Sequence, residues 1–369
     1  MYIAIMLNFE TITELSAEKL ASYDAIIDVR SPAEYTEDHV PGAINLPVLD
    51  NEERARVGTI YKQVSPFEAR RLGASLVSRN IAAHIETSLK NKPARFRPLV
   101  YCWRGGMRSN SMAIILASIG WHPALIEGGY RTWRRSVTAA LDNEQADLPL
   151  IVIDGQTGSA KTALLHVLEA KGEQVIDLEG LAAHRGSVFG PLTGQDQPSQ
   201  KHFETWLWDK IRGFDLSRPI FIEAESGLVG KRRIPKRIWL SMRDAPHVRI
   251  NAPARERAAY LLTAYPDLTD NPGKIETALR QLIPHHGHEQ IGNWRAMAEA
   301  QDWLQLAHAL IEQHYDPAYD RARKRQTLAC DAVIECARLD TDGLEDLAER
   351  VCETAAGLTA SQRLAAHPN

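Results

Sequence analysis

Residues 98–119 read PLVYCWRGGMRSNSMAIILASI. The apolar run Pro98-Leu99-Val100-Tyr101 leads into a cysteine, two glycines, two arginines and a serine. Met112, Ile114, Ile115 and Ile119 then return at helical spacing. This change of period predicts a buried strand, a tight loop and a helix, one unit of a parallel sheet. Cys102 to Arg108 inclusive is seven residues, a C-x5-R spacing. Backbone N–H groups of a loop wrapped at a helix start converge on one point and bind an anion there, and Arg108 is expected to close the ring. The same field lowers a thiol pKa, so Cys102 is expected as a thiolate nucleophile at neutral pH. Gly105 and Gly106 are expected to supply the positive dihedrals of the curl. The candidate loop is Trp103, Arg104, Gly105, Gly106, Met107 and Arg108.

Working outward, AIIDV (25–29) and PALIEG (123–128) read as further buried strands, each followed by a turn and a helical stretch. Such alternation predicts a parallel sheet covered on both faces, with a helical insertion at about 51–92. A charged, strand-poor stretch, LDNEQADLP (141–149), closes this first domain, 1–140. Alternation resumes with LIVID (150–154), EQVIDLE (173–179), a helix striped by Phe203, Trp206, Leu207 and Ile211, PIFIEAE (219–225) and HVRINA (247–252). A second α/β domain is therefore expected over 148–270. Beyond it strand signals stop, which predicts a helical C-terminal extension, 271–369.

The second domain opens on DGQTGSAKTALL (154–165) between a strand and a helix. Gly155, Gln156, Thr157, Gly158, Ser159, Ala160, Lys161 and Thr162 follow the phosphate-binding P-loop pattern except that Ala160 stands where a glycine precedes the lysine. Backbone amides and the helix N-terminus can still cradle phosphate and Lys161 can reach it. Ala160 argues against close approach to a full triphosphate with magnesium. Glu223 and Glu225 are the candidate acidic partners.

With 43 Lys+Arg against 47 Asp+Glu, a polyanion must meet a local basic patch. Three clusters qualify: RTWRR (131–135), GKRRIPKRIW (230–239) and RARKR (321–325). Arg131, Arg134, Arg135, Lys231, Arg232, Arg233, Lys236 and Arg237, interleaved with Trp133 and Trp239, are the candidate nucleic-acid contacts. The 4 cysteines include no CxxC pair, a reduced pattern, and Cys330, Cys336 and Cys352 read as packing residues. His285, His286 and His288 lie too close together to form a tetrahedral metal site alone, so no metal site is expected. The short apolar start lacks the features of a secretion signal, and no stretch reaches the roughly 20 apolar residues of a membrane span. A cytoplasmic protein with no membrane contact is expected.

IIDVRSPAEYTEDHVPGAINLP (26–47), with Asp28, Arg30, Glu34, His39 and Asn45, resembles the opening signature of rhodanese domains, and IEGGYRTW (126–133) resembles their closing strand and double glycine. The seven-residue loop departs from the six of most sulfur-transferring rhodaneses. It is similar to the phosphate-sized loop of cell-cycle dual-specificity phosphatases, so a sulfurtransferase or a C-x5-R phosphatase stays open as a reading. A non-catalytic tRNA-binding scaffold is a further alternative. The pairing of this domain with a P-loop domain, together with NEERARVGTIYKQ (51–63), CWRGGMRS and YDPAY (315–319), resembles the tRNA 2-selenouridine synthase family over about residues 10–325. The resemblance implies a rhodanese-like domain, a P-loop NTPase-like α/β domain and a helical extension. It implies a transferase that replaces sulfur by selenium in the wobble 2-thiouridine of tRNA, by S-geranylation with geranyl diphosphate and then selenation with selenophosphate. No tightly bound cofactor is implied, and Mg2+ is a further candidate ligand. Cys102 would carry selenium as a perselenide or assist its transfer, with Arg104 and Arg108 neutralising the phosphate. The Gly155–Thr162 loop would hold the diphosphate, with residues near Trp206 and Trp208 burying the isoprenoid.

Overall fold

The computed structural model describes residues 9–143, 148–185, 196–264, 272–326 and 330–366. The chain forms two compact units. The first takes residues up to Asp142 together with Pro198–Gly213, and the second takes Asn143–Gln197 and the chain from Phe214 onward.

In the first unit β1 (Glu10–Ile12), β2 (Ala25–Asp28), β3 (Ala43–Asn45), β4 (Pro98–Tyr101) and β5 (Ala124–Ile126) form one sheet in the order β1-β5-β4-β2-β3. All four pairings are parallel, as the alternation predicts. β4 lies centrally, buried along its whole length, so Cys102 leaves the sheet at a rigid strand end. Between β3 and β4 the expected insertion is two helices. Asn51–Gln63 starts on a capping box in which Asp50 accepts from Glu53 N and the Glu53 side chain accepts from Asp50 N. Pro66–Glu86 starts on Ser65, which accepts from Phe67 N and Glu68 N.

The helix Gln200–Ile211 has the expected stripe but not the expected home. It lies inside the P-loop segment of the sequence yet packs in the first unit. Phe203 and Leu207 are fully buried, Thr205 Oγ1 donates to the buried Asp38 at 3.0 Å, and Lys201 pairs with Glu37 at 2.7 Å. Arg134 pairs with Glu204, while Arg212 donates to Leu15 O at 3.1 Å and lies over the Trp133 ring. Apolar spacing shows that a helix buries one face, not against which sheet. Trp206, at 39% exposed, lies tilted against the His202 ring in this unit, the centroids 4.0 Å apart. It is not part of the wall of the P-loop cavity described below.

The second unit is built on β6 (Leu150–Gly155), β7 (Gln174–Ile176), β8 (Ile220–Glu223), β11 (His247–Asn251) and β12 (Ala332–Glu335), in the order β12-β11-β6-β8-β7 and again all parallel. A separate two-residue hairpin pairs β9 (Leu228–Val229) with β10 (Arg232–Arg233). β12 corrects the expectation of a strandless extension. It is a four-residue edge strand, AVIE, whose short apolar run cannot be told from a helical turn by periodicity. The helix Thr341–Ala366 that follows buries Leu347, Ala348 and Val351 in the same core as Leu164, Leu165 and Leu168 of the helix Lys161–Ala170. Between β11 and β12 the described residues are mostly helical, with a core around Leu279, Ile291, Trp294 and Leu310. Among the described residues no helix is long and apolar enough to cross a membrane.

Candidate functional site

Cys102 is 3% exposed at the end of β4. Gly106 N donates to its sulfur at 3.3 Å and Ser109 Oγ lies 3.3 Å away. Burial acts to raise the thiol pKa, but the Ser109 hydroxyl and the backbone amides of Ser109, Gly106 and Arg104 outweigh it and hold the thiol below its ordinary value. The loop is seated from below by the double glycine. Tyr130 N donates to Cys102 O at 2.8 Å and Arg131 N to Trp103 O at 3.2 Å. Gly105 has φ +65 as expected. Gly106 does not: at φ −104 it is the extended cap of the helix Met107–Ser118.

Arg104 is exposed beside the loop, as is Met107. Arg108 is the main departure, because it does not close an anion ring. Its guanidinium makes a two-pronged pair with Glu34, at 2.7 and 3.3 Å. Glu34 in turn accepts from Ser31 N, within the capping box of the helix Pro32–Glu37. Burial acts to raise the Glu34 pKa, and Arg108 more than offsets it. Behind the loop Arg30, fully buried, pairs with Asp28 at 2.6 Å and lies 4.0 Å from the Tyr130 ring centroid. Asn45 Nδ2 donates to the carbonyls of Asp28 and Arg30. These residues of the 26–47 signature form the frame of the loop.

In the second unit the Gly155–Thr162 loop joins β6 to the helix Lys161–Ala170. Ala160 is its N-cap and has φ +58, the left-handed region. The position therefore demands what glycine supplies, and alanine occupies it under strain. Gly158, at φ +83, packs against the Arg257 backbone, with Arg257 O 3.0 Å from where a Cβ would stand. Lys161 Nζ donates to Gly155 O at 3.0 Å. Thr162 Oγ1 donates to Glu179 Oε2 at 2.9 Å, and Glu179 N donates to Glu223 Oε1 at 2.7 Å. Glu179 is an acidic member that sequence reading missed. Its only local signal is the end of EQVIDLE, one of several acids after a strand. Burial, then the neighbouring Glu179, pushes the Glu225 pKa up to about 8. Glu223 is raised by burial and the same neighbour. A cavity of about 380 Å³ opens over the loop, with Lys161, Thr162, Glu179 and Glu225 on its polar wall and Tyr260, Leu261 and Ala264 on its apolar one.

YDPAY, distant in sequence, also reaches this loop. Asp316 pairs two-pronged with the buried Arg257 at 2.7 and 2.8 Å, and Arg257 Nη1 donates to Thr157 O at 3.1 Å. Tyr319 OH donates to Asp154 Oδ1 at 2.8 Å, Arg323 pairs with Asp154, and Asp154 Oδ1 accepts from Gly155 N at 2.8 Å. One helix, Asp316–Gln326, thus braces both ends of the turn that precedes Gly158.

The basic candidates divide. Arg131 and Arg135 are exposed, whereas Arg134 is held by Glu204 and by Lys201 O. Trp133 is fully buried and offers no stacking face. Lys231, Arg233 and Lys236 are exposed, with Arg232, Arg237 and Trp239 half-buried. His286 bonds to His314 at 2.9 Å and meets Trp294 edge-on. Among the described residues no three His, Cys, Asp or Glu side chains are grouped to hold a metal ion.

A parallel sheet with a cysteine of lowered pKa at a strand end, continued in one chain by a second parallel sheet that carries a P-loop-like turn, defines a two-unit α/β protein. Residues 11–136 match the family model for the rhodanese-like domain, and residues 148–272 match that for the tRNA 2-selenouridine synthase AAA domain. A tRNA 2-selenouridine synthase of Nitrosomonas europaea is 37% identical over 263 residues, covering 70% of this chain and 67% of that protein. One of Proteus mirabilis is 40% identical over 250 residues, covering 67% of each. The solved structure of a rhodanese-related protein from Thermoplasma volcanium covers 32% of this chain and 83% of that one at 18% identity, with a TM-score of 0.21. The chain belongs to the tRNA 2-selenouridine synthase family.

Proposed function

We propose that this protein is a transferase that converts wobble 2-thiouridine of tRNA to 2-selenouridine in two half-reactions, each served by one anion loop. The observation that carries the reading is the presence, in a chain of this family, of two loops suited to different phosphorylated substrates. One has a nucleophile at its centre. The other has a lysine and helix N-terminus but an alanine where a triphosphate loop has glycine.

In the first half-reaction the Gly155–Thr162 loop holds the diphosphate of geranyl diphosphate, with Lys161 and the backbone amides facing the leaving group. The thiocarbonyl sulfur bonds to C1 of the geranyl group. The C1–O bond breaks with its electron pair leaving on pyrophosphate, and the N3 proton passes to solvent. No positioned water is required, so nucleotide hydrolysis is not part of this chemistry.

In the second, selenophosphate occupies the Cys102 loop, with Arg104 beside it. Forming a perselenide from this donor would leave phosphorus reduced by two electrons. Attack of the Cys102 thiolate on phosphorus balances without an oxidant: a phosphocysteine forms, the P–Se bond breaks, and hydrogen selenide ion departs. That ion adds to C2, its proton passing to N3. The C2–S bond breaks, and geranylthiolate leaves and takes a proton from solvent. Water then cleaves the phosphocysteine, returning the thiolate and releasing phosphate. The phosphate-sized spacing of seven residues supports this route. The test is mass spectrometry of wobble nucleosides after incubating thiolated tRNA with geranyl diphosphate alone and then with selenophosphate. S-geranyl and then seleno nucleosides are expected, and the absence of both would overturn the reading.

A further inference from the structure

Lys161 stands between two cavities. The larger one, over the P-loop, already offers a polar end for a diphosphate and an apolar wall of Tyr260, Leu261 and Ala264. A second cavity, about 220 Å³, shares only Thr157, Lys161 and Glu225 with it, and nothing above assigns it a ligand. Its wall is of mixed character. Trp239, Met242 and Ala322 are apolar surfaces, while Ser226, Arg243 and His247 carry hydrogen-bonding groups. His247 is 4% exposed. Its Nε2 is engaged with Met242 O at 3.1 Å, and its Nδ1 has no partner.

One helix, Lys236–Asp244, supplies Trp239, Met242 and Arg243 to this wall, and the guanidinium of Arg243 lies 5.2 Å from the Trp239 ring centroid. The same helix begins in the basic run Lys231, Arg232, Arg233, Lys236 and Arg237. Basic side chains and an aromatic wall of the cavity that Lys161 also lines are therefore delivered by one continuous segment. A hydrocarbon chain in this cavity would leave the buried His247 Nδ1 without a partner, which is costly. A planar base satisfies both kinds of wall, since it has a face to stack and an edge to hydrogen-bond.

Resting on the tRNA reading above, we propose that this second cavity receives the nucleobase to be modified, turned out of its stack against Trp239, so that its sulfur meets the donor at Lys161. Enzymes that act on a base take it into such a pocket, and an anticodon base is already single-stranded, so the cost of extruding it is small.

The full chain carrying Trp239→Ala or Trp239→Phe tests this by S-geranylation of thiolated tRNA, with calorimetric binding of geranyl diphosphate and of inorganic pyrophosphate measured alongside. The alanine variant is expected to lose roughly ten- to a hundredfold in kcat/KM for tRNA, the loss of one base–aromatic stack. Phenylalanine should restore most of it, with both donor affinities within about twofold of the parent. An unchanged kcat/KM overturns the proposal. So does weakened geranyl diphosphate binding with pyrophosphate binding intact, which would place the isoprenoid in the cavity. If the parent chain itself fails to geranylate tRNA, the underlying reading falls instead, a result read before any variant is made.

Discussion

Gly129 lies so close beneath Cys102 that a Cβ added to it would come within 2.2 Å of the Cys102 carbonyl oxygen. Gly129 also has φ +61 and faces Gly105 N at 2.6 Å from the same Cβ position. Neither neighbour is a flexible side-chain end, so the loop itself must shift. Gly129→Ala is expected to destabilise the first unit by about 1–3 kcal/mol and to abolish selenation, while pyrophosphate binding at the P-loop is unchanged. Urea unfolding, selenium incorporation and calorimetry together check this.

Ser109→Ala removes the hydroxyl that favours the Cys102 thiolate. The thiol pKa is expected to rise, so the midpoint of iodoacetamide alkylation against pH moves upward. Alkylation at neutral pH should slow by up to about tenfold, in line with loss of a hydrogen bond to a charged group worth about 1.5 kcal/mol. A profile identical to the parent's would refute the role of Ser109.

Glu225, pushed up to about 8 by burial and by Glu179, is protonated in the folded state where the unfolded chain is ionised. A raised carboxyl pKa contributes stability that is present below its ordinary range and is lost as pH rises through about 8. Without a donor bound, thermal stability of the second unit is expected to fall from pH 5 to pH 9, and Glu225→Gln to flatten that fall. The check is the melting temperature of both chains across this range.

Ala160→Gly relieves a left-handed alanine and is expected to stabilise the chain by about 1 kcal/mol, with geranyl transfer nearly unchanged and no nucleotide hydrolysis gained. Lys161→Ala should instead suppress geranylation while pre-geranylated tRNA is still selenated. Stoichiometric ATP or GTP consumption by either chain would contradict the diphosphate reading.

Asp316→Ala would leave Arg257, 3% exposed, without its carboxylate. Loss of one partner of a buried pair costs about 3–5 kcal/mol. Because Arg257 also holds Thr157 O, diphosphate affinity is expected to fall with stability, whereas Cys102 alkylation is not. Chemical denaturation and calorimetry read the two effects separately.

Both anion loops were legible because each is local: Cys102 to Arg108 and Gly155 to Thr162 are short runs whose glycines, lysine and cysteine have few other uses together. Glu34, Asp316, Tyr319 and Arg323 stood in noticed motifs, but their partners could not be read, since Arg108 is 74 residues from Glu34 and Asp154 is 165 from Tyr319. Ion pairs leave no periodicity. Arg134 reads in sequence like its exposed neighbours, and what distinguishes it is Glu204 and the Lys201 carbonyl, both on the helix Gln200–Ile211. Trp133 illustrates the same limit, because an aromatic between arginines reads alike whether it faces solvent or core.

Oδ2 of Asp38 accepts both from Tyr130 and from Thr205 of the helix Gln200–Ile211. Cleaving the polypeptide after residue 142 would therefore not yield two self-sufficient halves. The leading fragment would keep Asp38 and Trp133 but lose the helix that satisfies the first and the arginine that lies over the second. Exchange of genetic segments at that apparent seam would meet the same obstacle. Twelve residues that lie in the P-loop segment of the sequence belong to the other unit in folding.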